Sequence, residues 1–291
     1  LFDSAKISHA KRWQIHLPEK NIVKDYLKKT KIQILKIIEC EKPSTNDECY
    51  FYRLAIAHEI MHIEAFKITA QKLGIELPRV IDLFLLENHQ KNNKKIYVKA
   101  CQTSLMDPTS GFYFDNEISH ESFKVNDFII DSQPVTINDF FQFINSGQYY
   151  NYDLWSIKGK QWLKKFQQNK ISLENSLVKK LLEHPIKNNL ELGDTVLLNW
   201  FGKKQKFKFS LPIIHLNFFE AEAYSNFKNA RLPTEIEWLI ASKNIEFLWG
   251  NVWEWTSTKF SKPDGFKPHP YKEYSEPWFD KNYMVIKGAS F

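Results

Sequence analysis

Two long stretches near the amino terminus carry the apolar spacing of helices, and they constrain the first part of the fold most strongly. Apolar side chains recur at roughly helical intervals over residues 19–39 and again over residues 50–73. Residues 40–48 are polar and break the pattern, and Gly74 is placed to end the second helix. The pattern predicts an all-helical first part, as in a helix bundle.

The chain changes character near residue 90. Residues 88–98 are polar and rich in lysine, which is typical of a linker. Beyond them, irregular segments rich in Trp, Phe, Pro and Asn separate short helices. Three pairs have the spacing of helix amino-terminal caps: Thr136 with Asp139, Asn217 with Glu220, and Thr234 with Glu237. We therefore expect an α+β fold class, with much ordered loop in the second part.

Composition and charge argue against nucleic-acid binding and against a membrane span. The formal charge of +6 comes mostly from dispersed lysines, which indicates a solvated surface, and no nucleic-acid-reading motif accompanies them. The three cysteines have no CxxC spacing, which favours a reducing, cytoplasmic location. No apolar run is long enough to span a membrane. The chain begins at Leu1 and stops at Phe291, and we expect both ends to be truncated.

The segment His58-Glu59-Ile60-Met61-His62-Ile63-Glu64 is the strongest candidate site. Two histidines four residues apart on a helix face the same way and can share a metal ion, and Glu64 follows as a candidate to orient them. The segment matches H-E-x-x-H, the zinc peptidase pattern, and it also matches H-x-x-x-H-x-E. If the segment is read as H-x-x-x-H-x-E, Glu59 is incidental to the metal site.

The second part resembles the formylglycine-generating-enzyme/sulfatase-modifying-factor fold, a C-type-lectin-like domain, over residues 100–291. Three strings carry the resemblance: Arg231 to Trp238 (R-L-P-T-E-I-E-W), Gly250 to Thr256 (G-N-V-W-E-W-T), and Gly288-Ala289-Ser290. The alternation of Trp253 and Trp255 is that of strand residues on one side, and we expect both to be core. Formylglycine enzymes use late cysteines, and this chain has none after Cys101.

A helical bundle with H-x-x-x-H-x-E, followed by such a domain, resembles the EgtB-like non-heme iron sulfoxide synthases of ergothioneine biosynthesis. The resemblance implies a partial DinB-like metal-binding bundle over residues 1–90 and the lectin-like domain over residues 100–291. Residues 1–13, the string Tyr50 to Ala55, and Asp115-Asn116-Glu117 followed by His120 look closer to a sister group, the selenoneine synthases.

The resemblance implies an Fe(2+)- and O2-dependent oxidoreductase that joins sulfur or selenium, from a thiol or selenol donor, to the imidazole C2 of hercynine (trimethylhistidine). His58 and His62 match the paired metal ligands. The family's third histidine lies on an earlier helix, and we expect it upstream of Leu1, with His9 as a weaker substitute. Tyr271 and Tyr274 both lie in the region of the family's catalytic tyrosine, and the sequence does not choose between them.

Two other interpretations stay open. In a zinc metallopeptidase Glu59 would be the general base and Glu87 a third ligand, but this leaves the second part unexplained. The extended peptidase motif fails, because Ala65 and Ile68 occupy its glycine and last histidine positions. The chain could also be a non-catalytic, lectin-like binding module. The remaining candidates are more often structural: His120, His215 and His269 as loop residues, Asn251 and Glu254 as buried, hydrogen-bonded ones.

Overall fold

The computed structural model describes most of the chain in nine ranges: 7, 11, 14–77, 93–104, 111–118, 122–168, 170, 177–183 and 195–289. Residues 14–77 are called the helical part below, and residues 93–289 the mixed part. Within the described residues the order of elements is two long helices followed by short helices and strands, as the predicted α+β class requires.

Two helices form the helical part, α1 (Lys20–Glu41) and α2 (Asn46–Leu73). Helix α2 begins at a capping box in which Thr45 accepts from the Glu48 backbone N–H and the Glu48 side chain accepts in return. It ends at Gly74, whose φ of 68° is left-handed, as predicted for a glycine stop. Both predicted helices are confirmed, with bounds shifted by four residues or fewer.

The strands of the mixed part pair two by two, each pair antiparallel. The pairs are β1 (Lys95–Val98) with β4 (Phe128–Asp131), β2 (Cys101–Ser104) with β3 (Ser122–Val125), β5 (Thr195–Trp200) with β6 (Lys203–Lys208), and β7 (Trp253–Lys259) with β8 (Met284–Gly288). The linker prediction is wrong for Lys95–Val98, because Ile96 is buried while the side chain of Lys95 pairs with Asp131 at the surface. Residues 88–92 lie outside the described ranges.

Within the described residues, the mixed part also contains five short α-helices: α3 (Ile137–Asn145), α4 (Ile157–Gln167), α5 (Leu177–Leu182), α6 (Phe218–Phe227) and α7 (Glu235–Ala241). The three predicted capping boxes are confirmed, at the starts of α3, α6 and α7. Each box satisfies backbone N–H groups that the helix itself cannot.

The core of the mixed part is strongly aromatic. Helix α3 carries three phenylalanines that are at most 1% exposed: Phe140, Phe141 and Phe143. They belong to one buried cluster with Tyr149 and Trp155. Aromatic side chains thus make up much of the buried core of the mixed part.

Helix α2 lies against the mixed part through its carboxyl-terminal end. The Gln71 side chain donates to the Asn199 carbonyl over 2.9 Å and accepts from the Phe201 backbone N–H over 2.6 Å. Glu76, just beyond the helix, forms an ion pair with Lys203. Asn199, Phe201 and Lys203 all belong to the β5–β6 hairpin, which therefore holds the carboxyl-terminal end of α2. Among the described helices, none has the length and hydropathy that crossing a bilayer needs.

Candidate active site

His58 and His62 stand one turn apart on α2, as predicted. Their ring centroids are 4.5 Å apart and the rings are nearly perpendicular, at 81°. His58 is half-buried and His62 is exposed. Burial, with the neighbouring His62 as a second cause, lowers the pKa of His58. The neutral imidazole, which is the form that binds metals, is thereby favoured at neutral pH.

Tyr271 is the predicted tyrosine that lies next to this pair. Its ring centroid is 5.5 Å from that of His58, at 81°. Tyr274 lies one step further away: its centroid is 6.2 Å from that of Tyr271, and its ring stacks on Phe114 at 4.1 Å. Burial raises the pKa of Tyr274 to about 12, and the carboxylates of Glu117 and Asp115 add to the effect. Tyr271 thus lies next to the histidine pair and Tyr274 lies behind it, although the sequence gives no reason to choose between them.

Glu64 faces away from the histidine pair. Two residues along an α-helix correspond to a rotation of about 200°, so Glu64 and His62 project from nearly opposite sides of α2. The Glu64 carboxylate accepts a hydrogen bond from the indole N–H of Trp253 on β7. The prediction that Trp253 is core is wrong, since it is 43% exposed, because its indole reaches out to α2. Glu64 joins the helical part to the mixed part.

A groove of about 1180 Å³ lies along the Glu64 side of α2. Gln71 and Lys67 line it from the helix, and Trp200, Trp253 and Arg231 line it from the mixed part. Arg231 is held by two hydrogen bonds, of 2.7 and 2.6 Å, from its guanidinium to the carboxylate of Glu237. His58 and His62 do not line this groove, so the groove and the histidine pair are two different surfaces.

His58 and His62 place two imidazole rings one turn apart on one side of α2, and imidazole nitrogen is a ligand type that iron accepts. Among the described residues, no group of three His, Cys, Asp or Glu side chains could hold a metal ion. His9 and Glu87, the suggested third ligands, lie outside the described ranges, and His16 is exposed ahead of α1. Glu59 is exposed, as expected for an incidental residue.

The remaining candidates lie in loops or in the packed interior. His215 occupies an exposed bend with φ 64° and stacks near Trp200, with ring centroids 6.1 Å apart. His269 lies in a loop against Tyr50, with centroids 5.3 Å apart. Both loop predictions are confirmed, while His120 lies outside the described ranges.

Among the carboxyl groups of the described residues, that of Glu254 has the most strongly raised pKa. Asn251 and Glu254 both border the groove described above, and Asn251 is buried. Burial raises the pKa of Glu254 to about 8, and its Oε1 has no hydrogen-bond partner within the described ranges. The expected hydrogen bonds to loop backbone are thus missing for this oxygen.

Comparison with known proteins places the chain in a family. Residues 84–246, more than half of the chain, match the model of the sulfatase-modifying factor enzyme 1-like domain. The chain is 27% identical over 226 residues to the hercynine oxygenase of Mycolicibacterium smegmatis, covering 61% of this chain and 49% of that protein. It is 25% identical over 231 residues to the hercynine oxygenase of Mycobacterium tuberculosis, covering 61% and 48%.

A third relative agrees with these two. The hercynine oxygenase of Mycolicibacterium thermoresistibile is 29% identical over 140 residues, covering 31% of each chain. The chain spans about half the length of the first two curated relatives. From the family match, the relatives and the order of helical and mixed parts, the chain belongs to the sulfatase-modifying factor enzyme 1-like family and is an EgtB-like member of it.

Proposed function

We propose that the protein is an Fe(2+)-dependent oxidoreductase that uses O2 to form a C–S or C–Se bond at the imidazole C2 of hercynine. The single observation that supports this most directly is the contact between the two parts of the chain. A histidine pair on α2 meets a tyrosine from the mixed part, with 5.5 Å between the ring centroids of His58 and Tyr271. The relatives are named hercynine oxygenases, which supports hercynine as the substrate and O2 as the oxidant.

His58 and His62 are the residues that would hold the iron through neutral imidazole nitrogens. Iron(II), when bound, supplies the electron-transfer chemistry that O2 requires. Two protein nitrogens on one side leave other positions for a further ligand, the sulfur or selenium donor and the substrate. Cys40, Cys49 and Cys101 are free thiols, which accords with the cytoplasmic location that we propose.

Tyr271 is the residue to which we assign proton donation during the reaction. Its ring centroid lies 5.5 Å from that of His58, and the residue is half-buried, so its side chain is only partly shielded from solvent. Tyr274 is held by stacking on Phe114, and with its pKa raised to about 12 it keeps its proton throughout the neutral range. We assign it a packing role behind Tyr271.

The first experiment tests the activity. The full-length protein is loaded anaerobically with Fe(2+), mixed with hercynine and either a thiol or a selenol donor, and then exposed to O2. We expect a product substituted at C2, identified by mass spectrometry, with one donor preferred. Absence of such a product with every donor would count against the proposed reaction.

The second experiment tests the ligands. His58→Ala and His62→Ala should each lower iron affinity by more than the roughly 10–100-fold that loss of an outer-shell partner costs. Elemental analysis after dialysis measures the retained iron. The matched control is Glu59→Gln, since Glu59 is exposed on the same turn of the helix. Proteolysis that requires zinc and is abolished by Glu59→Gln would instead support the metallopeptidase.

A further inference from the structure

A buried carboxylate fixes both ends of the turn that carries Tyr271 and Tyr274. Asp115 is 3% exposed and lies at the start of a short 3-10 helix, Asp115–Glu117. Its Oδ2 accepts a hydrogen bond from the backbone N–H of His269 over 3.1 Å. Its Oδ1 accepts a second from the hydroxyl of Ser275, which is fully buried. The two bonds are made on either side of the tyrosines and close the segment His269–Ser275 into a fixed turn.

The short 3-10 helix that begins at Asp115 is capped, and its neighbour Phe114 also contacts the turn. The Phe114 backbone N–H donates to the Glu117 side chain over 2.8 Å, which caps the short helix at its start. The Phe114 ring stacks on Tyr274 with centroids 4.1 Å apart and planes at 22°. The Asp115 carboxylate and the Phe114 ring therefore contact the same turn at three residues: His269, Tyr274 and Ser275.

The same turn touches α2 at two places. The Tyr50 ring lies 5.3 Å from the His269 ring, and 5.8 Å from the ring of Phe112 on the Asp115 side. Two turns further along α2, the Tyr271 ring meets His58. Ring contacts at two places thus join the His269–Ser275 turn to α2.

We propose that Asp115 is a positioning residue, which holds the His269–Ser275 turn so that Tyr271 stays against His58. The inference rests on the proposed function for its catalytic consequence, although the geometry that it concerns is independent of the reaction. Burying a carboxylate is costly unless its oxygens are hydrogen-bonded, and here each oxygen has a partner in the turn. A buried polar group satisfied in this way is suited to fixing one local conformation.

The test uses readouts that do not depend on turnover. In Asp115→Ala, both bonds are lost, and amide hydrogen exchange over residues 266–278 should become about tenfold faster, with α3 unchanged. The ¹H–¹³C signal of the His58 imidazole, which senses the Tyr271 ring, should shift in the direction that Tyr271→Leu produces. The exposed Asp264→Asn is the matched control and should leave both readouts as in the unsubstituted protein.

Turnover supplies the second half of the test. If the hercynine reaction is found, Asp115→Ala should lower kcat by about tenfold to a hundredfold, because a misplaced reacting group costs that much. KM for hercynine and iron retention should change little. If the reaction is absent, the proposed function fails, while the exchange and His58 signals still decide the role of Asp115.

Two outcomes would overturn the positioning role. One is an unchanged His58 signal in Asp115→Ala with normal exchange over residues 266–278. The other is faster exchange everywhere, α3 included, which would make Asp115 a general stability residue. Should Asp115→Ala fail to fold, Ser275→Ala removes only the Oδ1 partner, and it should shift the His58 signal in the same direction to a smaller extent.

Discussion

At the scale of single residues, Glu220 shows how a helix cap can be buried deeply enough to change its chemistry. It is 1% exposed, and its carboxylate accepts from the Asn217 backbone N–H over 2.9 Å and from the Tyr149 hydroxyl over 2.7 Å. Burial raises the pKa of Glu220 from 4.5 to about 7, although both hydrogen bonds act to lower it. The protonated form is therefore favoured in the folded protein relative to the unfolded chain.

This shift predicts a pH dependence of stability with a definite sign. The folded pKa lies above the unfolded value, so the contribution is fully present below about pH 4.5 and is lost as the pH rises through about 7. Glu220→Gln stays neutral, and it should therefore be more stable than the unsubstituted protein at pH 8, by about 2–3 kcal/mol, with a smaller difference at pH 5. Urea unfolding at both values measures the difference.

The exposed Glu276→Gln provides the control for this measurement, and it should show no such pH-dependent difference. Equal slopes of stability against pH for the Glu220→Gln variant and the unsubstituted protein would contradict the assignment of the buried proton. Tyr149 also faces the Glu220 carboxyl, and burial raises its pKa as well, so its hydroxyl stays a donor throughout this range.

The caps also show what local sequence can predict. The spacings Thr136 to Asp139, Asn217 to Glu220 and Thr234 to Glu237 identify three helix starts correctly, because a cap involves residues only three apart. The same spacing could not reveal that Glu220 is buried against Tyr149, since that partner lies 71 residues away in sequence. Local patterns locate the helices, but not what they pack against.

At the scale of elements, the contact between α2 and the β5–β6 hairpin depends on the absence of a side chain. Gly202 in the hairpin turn has φ 76°, and a Cβ there would lie 2.6 Å from the carbonyl oxygen of Gly74 at the end of α2. Backbone atoms cannot move aside as a flexible side chain can. The two hydrogen bonds of Gln71 and the close approach of Gly202 to Gly74 thus belong to one closely packed contact between α2 and the hairpin.

Gly202→Ala should consequently loosen α2 from the hairpin. A left-handed φ costs an alanine roughly 1–2 kcal/mol wherever it occurs, and the clash with Gly74 adds to this cost. Gly147→Ala is the matched control, because Gly147 has the same φ of 76° and nothing within 4 Å of its ideal Cβ. We expect both variants to lose stability, Gly202→Ala more, with faster amide exchange over residues 64–77 in Gly202→Ala alone. Identical exchange in the two variants would contradict this closely packed contact.

Long sequence separation explains which parts of the candidate site could be predicted. His58 and His62 are four residues apart, and their shared face follows from helix geometry alone. Asp115 and Ser275 are 160 residues apart, and Trp253 and Glu64 are 189 apart. Each pair includes a residue from a string that carries a family resemblance: Asp115-Asn116-Glu117 for the first pair and G-N-V-W-E-W-T for the second. The strings indicated that these residues matter, but only the fold shows their partners.

At the scale of the whole molecule, burial is distributed unevenly. Helix α1 has no buried residue, and α2 has only Ala70 and Gln71, both at its docked end. Large apolar side chains are exposed along both helices: Ile22, Tyr26, Leu27, Leu35, Phe51, Ile56, Ile60, Phe66 and Leu73. Among the described residues, the buried apolar core thus lies in the mixed part, while the helical part exposes large apolar side chains.

An apolar surface of this kind predicts concentration-dependent self-association of the 291-residue chain. Ile22 and Tyr26 are 61% and 62% exposed, and they are four residues apart on one face of α1. Replacing both with lysine should weaken association, raise the concentration at which it begins and reduce the binding of an apolar fluorescent dye. Sedimentation velocity over a range of concentrations, with dye titration, measures these effects. Ile245→Lys is the control, because Ile245 is 95% exposed and belongs to the mixed part, and its substitution should change neither readout. A chain that stays monomeric at every concentration, or that Ile245→Lys affects as much as the α1 pair, would show that the helical surface does not drive association.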